Sequence, residues 1–354
     1  MSNQTTAMRS IVTNDMEWLV EQYPIPWDRL RDKTVMITGA AGFLAAYMVE
    51  TLMYLNKVRG FGTTVIAVVR NRKRYEARFT QFLGNSELVC IEQDISLPVN
   101  LERHVDFIIH AASQASPRYY AVDPVGTLAA NTFGTAHLLE MAHQNKVEGL
   151  LYFSSAEVYG EASRVPTSEK DYGYLEPLAV RSCYAESKRM GENMCVSWHH
   201  QFGVPARIVR PFHTYGPGMS LHDGRVYADF VADVVNSRDI VLKSNGLARR
   251  AFCYLADATA GFWMVLLAGE DARAYNIGNP EGVTSVRDLA RTVASLFPER
   301  NISVRFEQRE SEEAYLSTTI QITCPDITLA KNLGWLPSTS IEAGFRKTIQ
   351  SYLS

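Results

Sequence analysis

Short apolar runs alternate with longer mixed stretches along the first two thirds of the chain. TVMIT, beginning at Thr34, ends at Gly39 and gives way to AAGFLAAYMVETLMYLN, whose Ala, Leu and Met content predicts a helix. Strand-like runs follow at 63–70 (TTVIAVVR), 88–94 (LVCIEQD), 105–112 (VDFIIHAA) and 204–211 (VPARIVRP). At 149–160, GLLYFSSAEVYG reads as a strand running into a loop, and TFGTAHLLEMAHQN and CYAESKRMGENMCVSWHHQFG read as helices. Parallel strands need a crossover between them, so this alternation predicts an α/β fold with a doubly wound, Rossmann-type parallel sheet over residues 31–211.

The pattern loosens beyond Pro211. Residues 212–225 (FHTYGPGMSLHDGR) lack periodicity and read as a long functional loop. Helices predicted at 226–236, 286–297 and 341–353, with short strands, make 212–354 mainly a smaller mixed α/β substrate lobe, part of which is free to return to the first domain. Residues 1–30 read as an N-terminal extension, with an amphipathic helix over 8–23 stopped by Pro24 and Pro26.

Composition narrows the function. Lys and Arg number 35 against 38 Asp and Glu, a net charge of −3, so no global field favours nucleic acid or an acidic membrane. Cys90, Cys183, Cys195, Cys253 and Cys324 are scattered and form no CxxC pair, which fits a reducing compartment better than a disulfide framework or zinc site. Without a signal-like N-terminus or an apolar span of about 20 residues, a cytoplasmic location is expected, with no membrane partner. His199 and His200, adjacent on a helix, point in different directions, so no metal site is expected.

Three segments carry chemistry. GAAGFLA places Gly39 at a tight turn, Ala41 beside it, Gly42 where backbone can approach a pyrophosphate, and Phe43 and Leu44 at a helix start whose N–H groups face phosphate. The second strand ends at Arg70 where an NAD site usually has a carboxylate. Arg70 either receives the 2′-phosphate of NADP, stacks on adenine or is solvated. Asp94 and Ile95, closing the third strand, either contact the adenine or make a turn. Finally, Tyr184 and Lys188 stand four apart on a helix, so an ammonium can meet a phenol and lower its pKa toward use as a base. Ser155 would share the reacting hydroxyl with Tyr184.

GAAGFLA, IIHAAS, SSAEVYG, YAESK and PDITLAKNLGWLP together resemble the extended short-chain dehydrogenase/reductases acting on nucleotide sugars. VRSCYAESKRMGE, LHDGRVYADFV and RRAFCYLAD are most similar to UDP-glucuronate decarboxylases. The resemblance implies a tightly held NAD or NADP that oxidises a sugar at C4 and later returns the hydride, a UDP-sugar or related nucleotide sugar as substrate, and a homodimer built on the helices around 125–144 and 184–201. It also implies residue roles. Tyr184, with Ser155 and Lys188, would remove the C4 hydroxyl proton. His110, Ala111, Ala112, Ser113, Asn131, Ser154, Pro211 and His213 would line the cofactor. Ser113, Ala156, Glu157, His213 and Val226 would face the substrate, and Arg225 and Arg250 would clamp its diphosphate.

The same resemblance exposes departures. Dehydratases look like STDEVYG, with an Asp that protonates the leaving hydroxyl; here that position is Ala156. Decarboxylases look like STSEVYG and carry Arg in a GPR segment; here the positions are Ala156 and Gly218. A methyl group and a hydrogen cannot deliver a proton. What survives suits a C4 redox cycle, so C4 epimerisation is the preferred reaction, ahead of decarboxylation and 4,6-dehydration. An idle cofactor-binding sensor is the non-enzymatic alternative. Glu157 would bind a hydroxyl or act as a base at C5, and His213 would either supply a proton or be a hydrogen-bonded loop residue.

Overall fold

Seven strands form one parallel sheet in the order Ala274–Ile277, Ala206–Pro211, Gly149–Phe153, Phe107–His110, Thr34–Thr38, Thr64–Val69, Leu88–Glu92. This computed structural model describes residues 3–222, 224–307 and 321–353. The central strands are apolar without alternation because helices cover both faces, which is what a parallel sheet demands. Strand order reverses around Thr34–Thr38, whose neighbours are Thr64–Val69 and Phe107–His110. Crevices at such reversal points, beyond the carboxyl ends of the strands, are where ligands bind.

The predicted strands and the two long helices form, the latter as Pro124–Asn145 and Cys183–Phe202. Two features depart from the pattern. The helix Leu255–Ala268 gave no periodic signal because it is buried all round, Trp263 and Phe262 included. It covers the sheet, and Ala274–Ile277 then pairs with Ala206–Pro211 at the sheet's edge. In the loop 212–225, His213–Tyr215 is a short strand parallel to Arg249–Tyr254. Arg249–Tyr254 is the spine of the smaller sheet, with Val283–Ser285 antiparallel and Ile322–Thr323 parallel to it.

The N-terminal helix Asn3–Gln22 packs against the helices Phe43–Arg59 and Leu255–Ala268 and buries Met16, Leu19 and Val20. Among the described residues no helix is long and apolar enough to cross a membrane.

Candidate active site

The carboxyl ends of Thr34–Thr38 and Phe107–His110 meet at the turn that leads into the helix Phe43–Arg59. Gly39 has φ +66°, and a Cβ there would lie 2.7 Å from the Ala112 Cα. Only glycine allows that turn to press against the fourth strand's exit. Gly42 is the N-cap of the helix and no side chain caps it, so its first N–H groups stay available to phosphate. Ala41 and Ala45 are buried beneath the turn, while Phe43 and Leu44 are half-buried at the helix start. The free N–H groups at this helix start are the donor set a dinucleotide's pyrophosphate needs.

Other expected cofactor residues divide. Thr38 Oγ1 lies 2.9 Å from His110 Nδ1 and accepts from the Ala112 amide at 3.2 Å, so the His110 ring points into the sheet. Burial, with Lys188 nearby, pushes its pKa down to about 3, which keeps it neutral. Ala111, Ala112 and Ser113 follow, half-buried, at the exit of that strand. The Ser113 hydroxyl is buried without a partner among the described residues. Arg70 is exposed at the end of Thr64–Val69, its charge felt by Asp123. Asp94 makes a turn, accepting from the Ser96 amide and hydroxyl at 2.9 and 2.8 Å, while Ile95 is buried against Gly134. Asn131 is fully buried and donates to Ser187 Oγ at 3.0 Å, tying the two long helices together.

Tyr184 and Lys188 lie on one face of Cys183–Phe202, both buried. Their electrostatics differ from the expected coupling. The Lys188 ammonium donates to the Phe153 carbonyl at 2.6 Å and sits 5.8 Å from the Tyr184 ring centroid. Burial pushes the Tyr184 phenol up to about 12, with the Ser155 hydroxyl hydrogen-bonded to it acting the other way. Burial likewise pushes Lys188 down to about 7, opposed by the Glu192 charge. Desolvation is the largest influence on both groups at this depth.

Several neighbours gave no sequence signal. The Tyr120 ring stacks on Tyr184 with centroids 5.1 Å apart and planes 16° from parallel, its hydroxyl donating to the Ala115 carbonyl at 3.0 Å. Arg181, just before the helix, donates to Glu157 at 3.3 Å. The Ser154 hydroxyl donates to Glu192 on the helix Cys183–Phe202 at 2.5 Å.

Further residues expected to face a substrate follow the strand Ala206–Pro211. Arg225 stands at the N-cap position of the helix Val226–Val235, and its guanidinium donates to the Tyr227 hydroxyl and the Ala115 carbonyl. Arg250 donates to the Arg249 and Gln321 carbonyls. Both guanidinia bear on His213, and with desolvation they push its pKa down to about 3. Burial, with those two charges, keeps the His213 imidazole neutral near pH 7. Pro211 and Val226 are half-buried at the same margin. Ala156, in the short turn Ala156–Tyr159, packs toward Phe212 and borders a cleft of about 390 Å³ that extends to Thr323. Gly218 has φ +77°, its carbonyl accepts from Arg78 at 3.0 Å, and a Cβ built on it would strike that guanidinium.

The profile described as the NAD dependent epimerase/dehydratase family matches residues 35–278. The chain belongs to that family. It is 34% identical to UDP-glucuronic acid decarboxylase 5 of Arabidopsis thaliana over 88% of this chain and 86% of that protein. It is also 34% identical to UDP-glucuronic acid decarboxylase 1 of Danio rerio, over 90% and 72%. Among solved structures, a UDP-glucuronic acid 4-epimerase from Bacillus cereus, in complex with UDP-glucuronic acid and NAD, superposes with TM-score 0.75 at 21% identity, covering 90% and 98%. A dTDP-glucose 4,6-dehydratase from Bacillus anthracis in complex with NAD gives 0.73 at 18% identity, covering 90% and 96%. At those identities the likeness speaks for the fold. As a member of this family the chain is an NAD-dependent enzyme of the epimerase/dehydratase type.

Proposed function

We propose that the protein is a nucleotide-sugar C4 epimerase, taking a UDP-sugar through a transient 4-keto form. The observation that carries this is the assembly of Ser155, Tyr184 and Lys188 at the strand ends, with a methyl group at Ala156. NAD, when bound over the Gly39 turn, supplies the hydride acceptor and donor. Ser155 and Tyr184 would hold the C4 hydroxyl, and the phenol oxygen would take and return its proton. Lys188 would hold the nicotinamide ribose, and Arg225 and Arg250 the diphosphate, as planar cations suited to it. Arg70 is the group that would meet the extra phosphate of NADP.

Decarboxylation is the second reading, favoured by the 34% identity to UDP-glucuronic acid decarboxylases. Against it stand Ala156 and Gly218, where the decarboxylase pattern has its proton-delivering Ser and Arg. A side chain at Gly218 would be strained at φ +77° and would meet Arg78. Incubation with UDP-glucose and UDP-glucuronate, followed by NMR, is expected to yield the C4 epimer of one of them. Carbon dioxide with UDP-xylose would overturn the preference.

We further propose a cytoplasmic homodimer. Leu138, Leu139 and Met141 are core, but Phe133 (63% exposed), Met190 (52%) and Val196 (42%) form an apolar face across the same two helices. A second copy would cover it with the same face. Phe133→Asp is expected to convert a dimer to a monomer in light scattering; a monomeric wild type removes the proposal.

A further inference from the structure

Beneath the reacting groups lies a buried charge cluster that the proposed chemistry does not itself consume. Glu192, one helical turn beyond Lys188, is 7% exposed and its carboxylate takes three hydrogen bonds. Ser154 Oγ donates to Oε1 at 2.5 Å, Arg210 Nε donates to the same oxygen at 2.7 Å, and Arg210 Nη2 donates to Oε2 at 2.6 Å. Arg210 is 1% exposed. Its other donors go to the Tyr159 hydroxyl and Glu169 carbonyl, both at 2.9 Å, and to the Tyr172 hydroxyl at 2.8 Å. All five guanidinium N–H groups are thus committed, and the fork fixes the carboxylate's plane.

That carboxylate acts in two directions. Through Ser154 it pins the strand end whose previous residue, Phe153, receives the Lys188 ammonium, and whose next residue, Ser155, meets Tyr184. Through its charge it acts on Lys188. The titratable groups facing that ammonium are His110 from Phe107–His110, Tyr152 with its ring 5.0 Å away from Gly149–Phe153, and Tyr184, Cys195 and Glu192 from its own helix. Burial holds the imidazole, the Tyr152 phenol and the Cys195 thiol neutral near pH 7. Glu192 is the carboxylate of this group, and Arg210 reaches it from the neighbouring strand Ala206–Pro211. A lysine with 2% exposure keeps its proton only if a fixed negative charge offsets its lost hydration.

We propose that Glu192 is a positioning residue for Tyr184 and Lys188: clamped by Arg210, it fixes the strand end bearing Ser154 and Ser155 and keeps Lys188 an ammonium. The inference rests on the reading of Lys188 as the group that holds the dinucleotide's ribose. Its test reads NAD affinity by calorimetry on the full chain, from mildly acidic to alkaline pH, beside melting temperature. Wild-type affinity is expected to fall as pH rises through the Lys188 titration. Glu192→Gln is expected to move that fall toward acid by about one pH unit or more. Glu192→Asp, which keeps the charge, retains the wild-type midpoint, and Ser154→Ala weakens binding without moving it. Where Glu192→Gln does not fold, Arg210→Gln, which leaves the Glu192 charge unneutralised, is expected to move the midpoint toward alkali. A midpoint that stays put in the Gln variants, or a wild-type affinity flat in pH, overturns the proposal, because a purely structural Glu192 lowers the melting temperature alone. Intact pH-dependent NAD binding without turnover of any nucleotide sugar would instead overturn the C4 reading and leave this one standing.

Discussion

Tyr184→Phe is expected to lower turnover on the order of 10³-fold while leaving the fold and NAD binding in place. The phenol hydroxyl is buried, and the partner seen for it is the Ser155 side chain, so its removal breaks no backbone ladder or cap. The ring keeps its stack on Tyr120. Removing one such hydrogen bond costs about 1 kcal/mol, far below what unfolds a domain. What disappears is the oxygen that takes and returns the C4 proton. Turnover of the accepted UDP-sugar, measured beside the bound NAD fraction and the melting temperature, separates the two effects. Turnover within about threefold of wild type would show that the proton leaves by another route. Because burial pushes the phenol up to about 12, wild-type activity in the proposed role depends on what enters the site beside it. Ser155 and the positive charge of Arg225 already act in the lowering direction, and a bound dinucleotide cation would add to them.

The sheet was legible because its strands are buried on both faces and therefore read as unbroken apolar runs between helices. The Gly39 turn and the Tyr184, Lys188 spacing were legible because both are local: one is a backbone requirement, the other a helical period. What spacing could not tell is where the Lys188 ammonium bonds. It turns to the Phe153 carbonyl, and burial governs both pKa values. Nor did any local pattern mark Tyr120, which reaches Tyr184 from the separate helix Pro117–Val122. Glu192 and Arg210 meet only because a helix and its following strand lie side by side. Leu255–Ala268 escaped for the opposite reason, since a helix buried on every side has no polar face to reveal its period. Gly218 stood out only as a departure from the relatives' pattern. The structure adds that Arg78 stands against the direction its side chain would take.

Deleting residues 1–22 is expected to destabilise the protein more than any single substitution at the site. The arm read from sequence as an extension is part of the core: Leu19 is fully buried, with Met16 and Val20 beside it. Asp15, also fully buried, accepts from the hydroxyls of Tyr47 at 3.1 Å and Tyr254 at 2.6 Å and from Lys347 at 2.9 Å. One carboxylate therefore joins the cofactor-side helix, the spine of the smaller sheet and the C-terminal helix Ile341–Gln350. Truncation also removes the arm's own ordering cost, so the balance is set by what stays behind. Left behind are the apolar flanks of Phe43–Arg59 and Leu255–Ala268, and three polar groups built around an absent anion. The truncated chain is expected to aggregate on expression or to melt well below the intact one. Leu19→Ala grades the effect at about 2–5 kcal/mol, the cost of a cavity at a fully buried site. Glu17→Ala, on the arm's exposed face, should stay within about 0.5 kcal/mol of wild type. Denaturant unfolding of these variants compares them directly. A truncated protein as stable as the intact chain would mean that the two flanks close over each other without the arm. The buried Asp15 would then serve only to dock it.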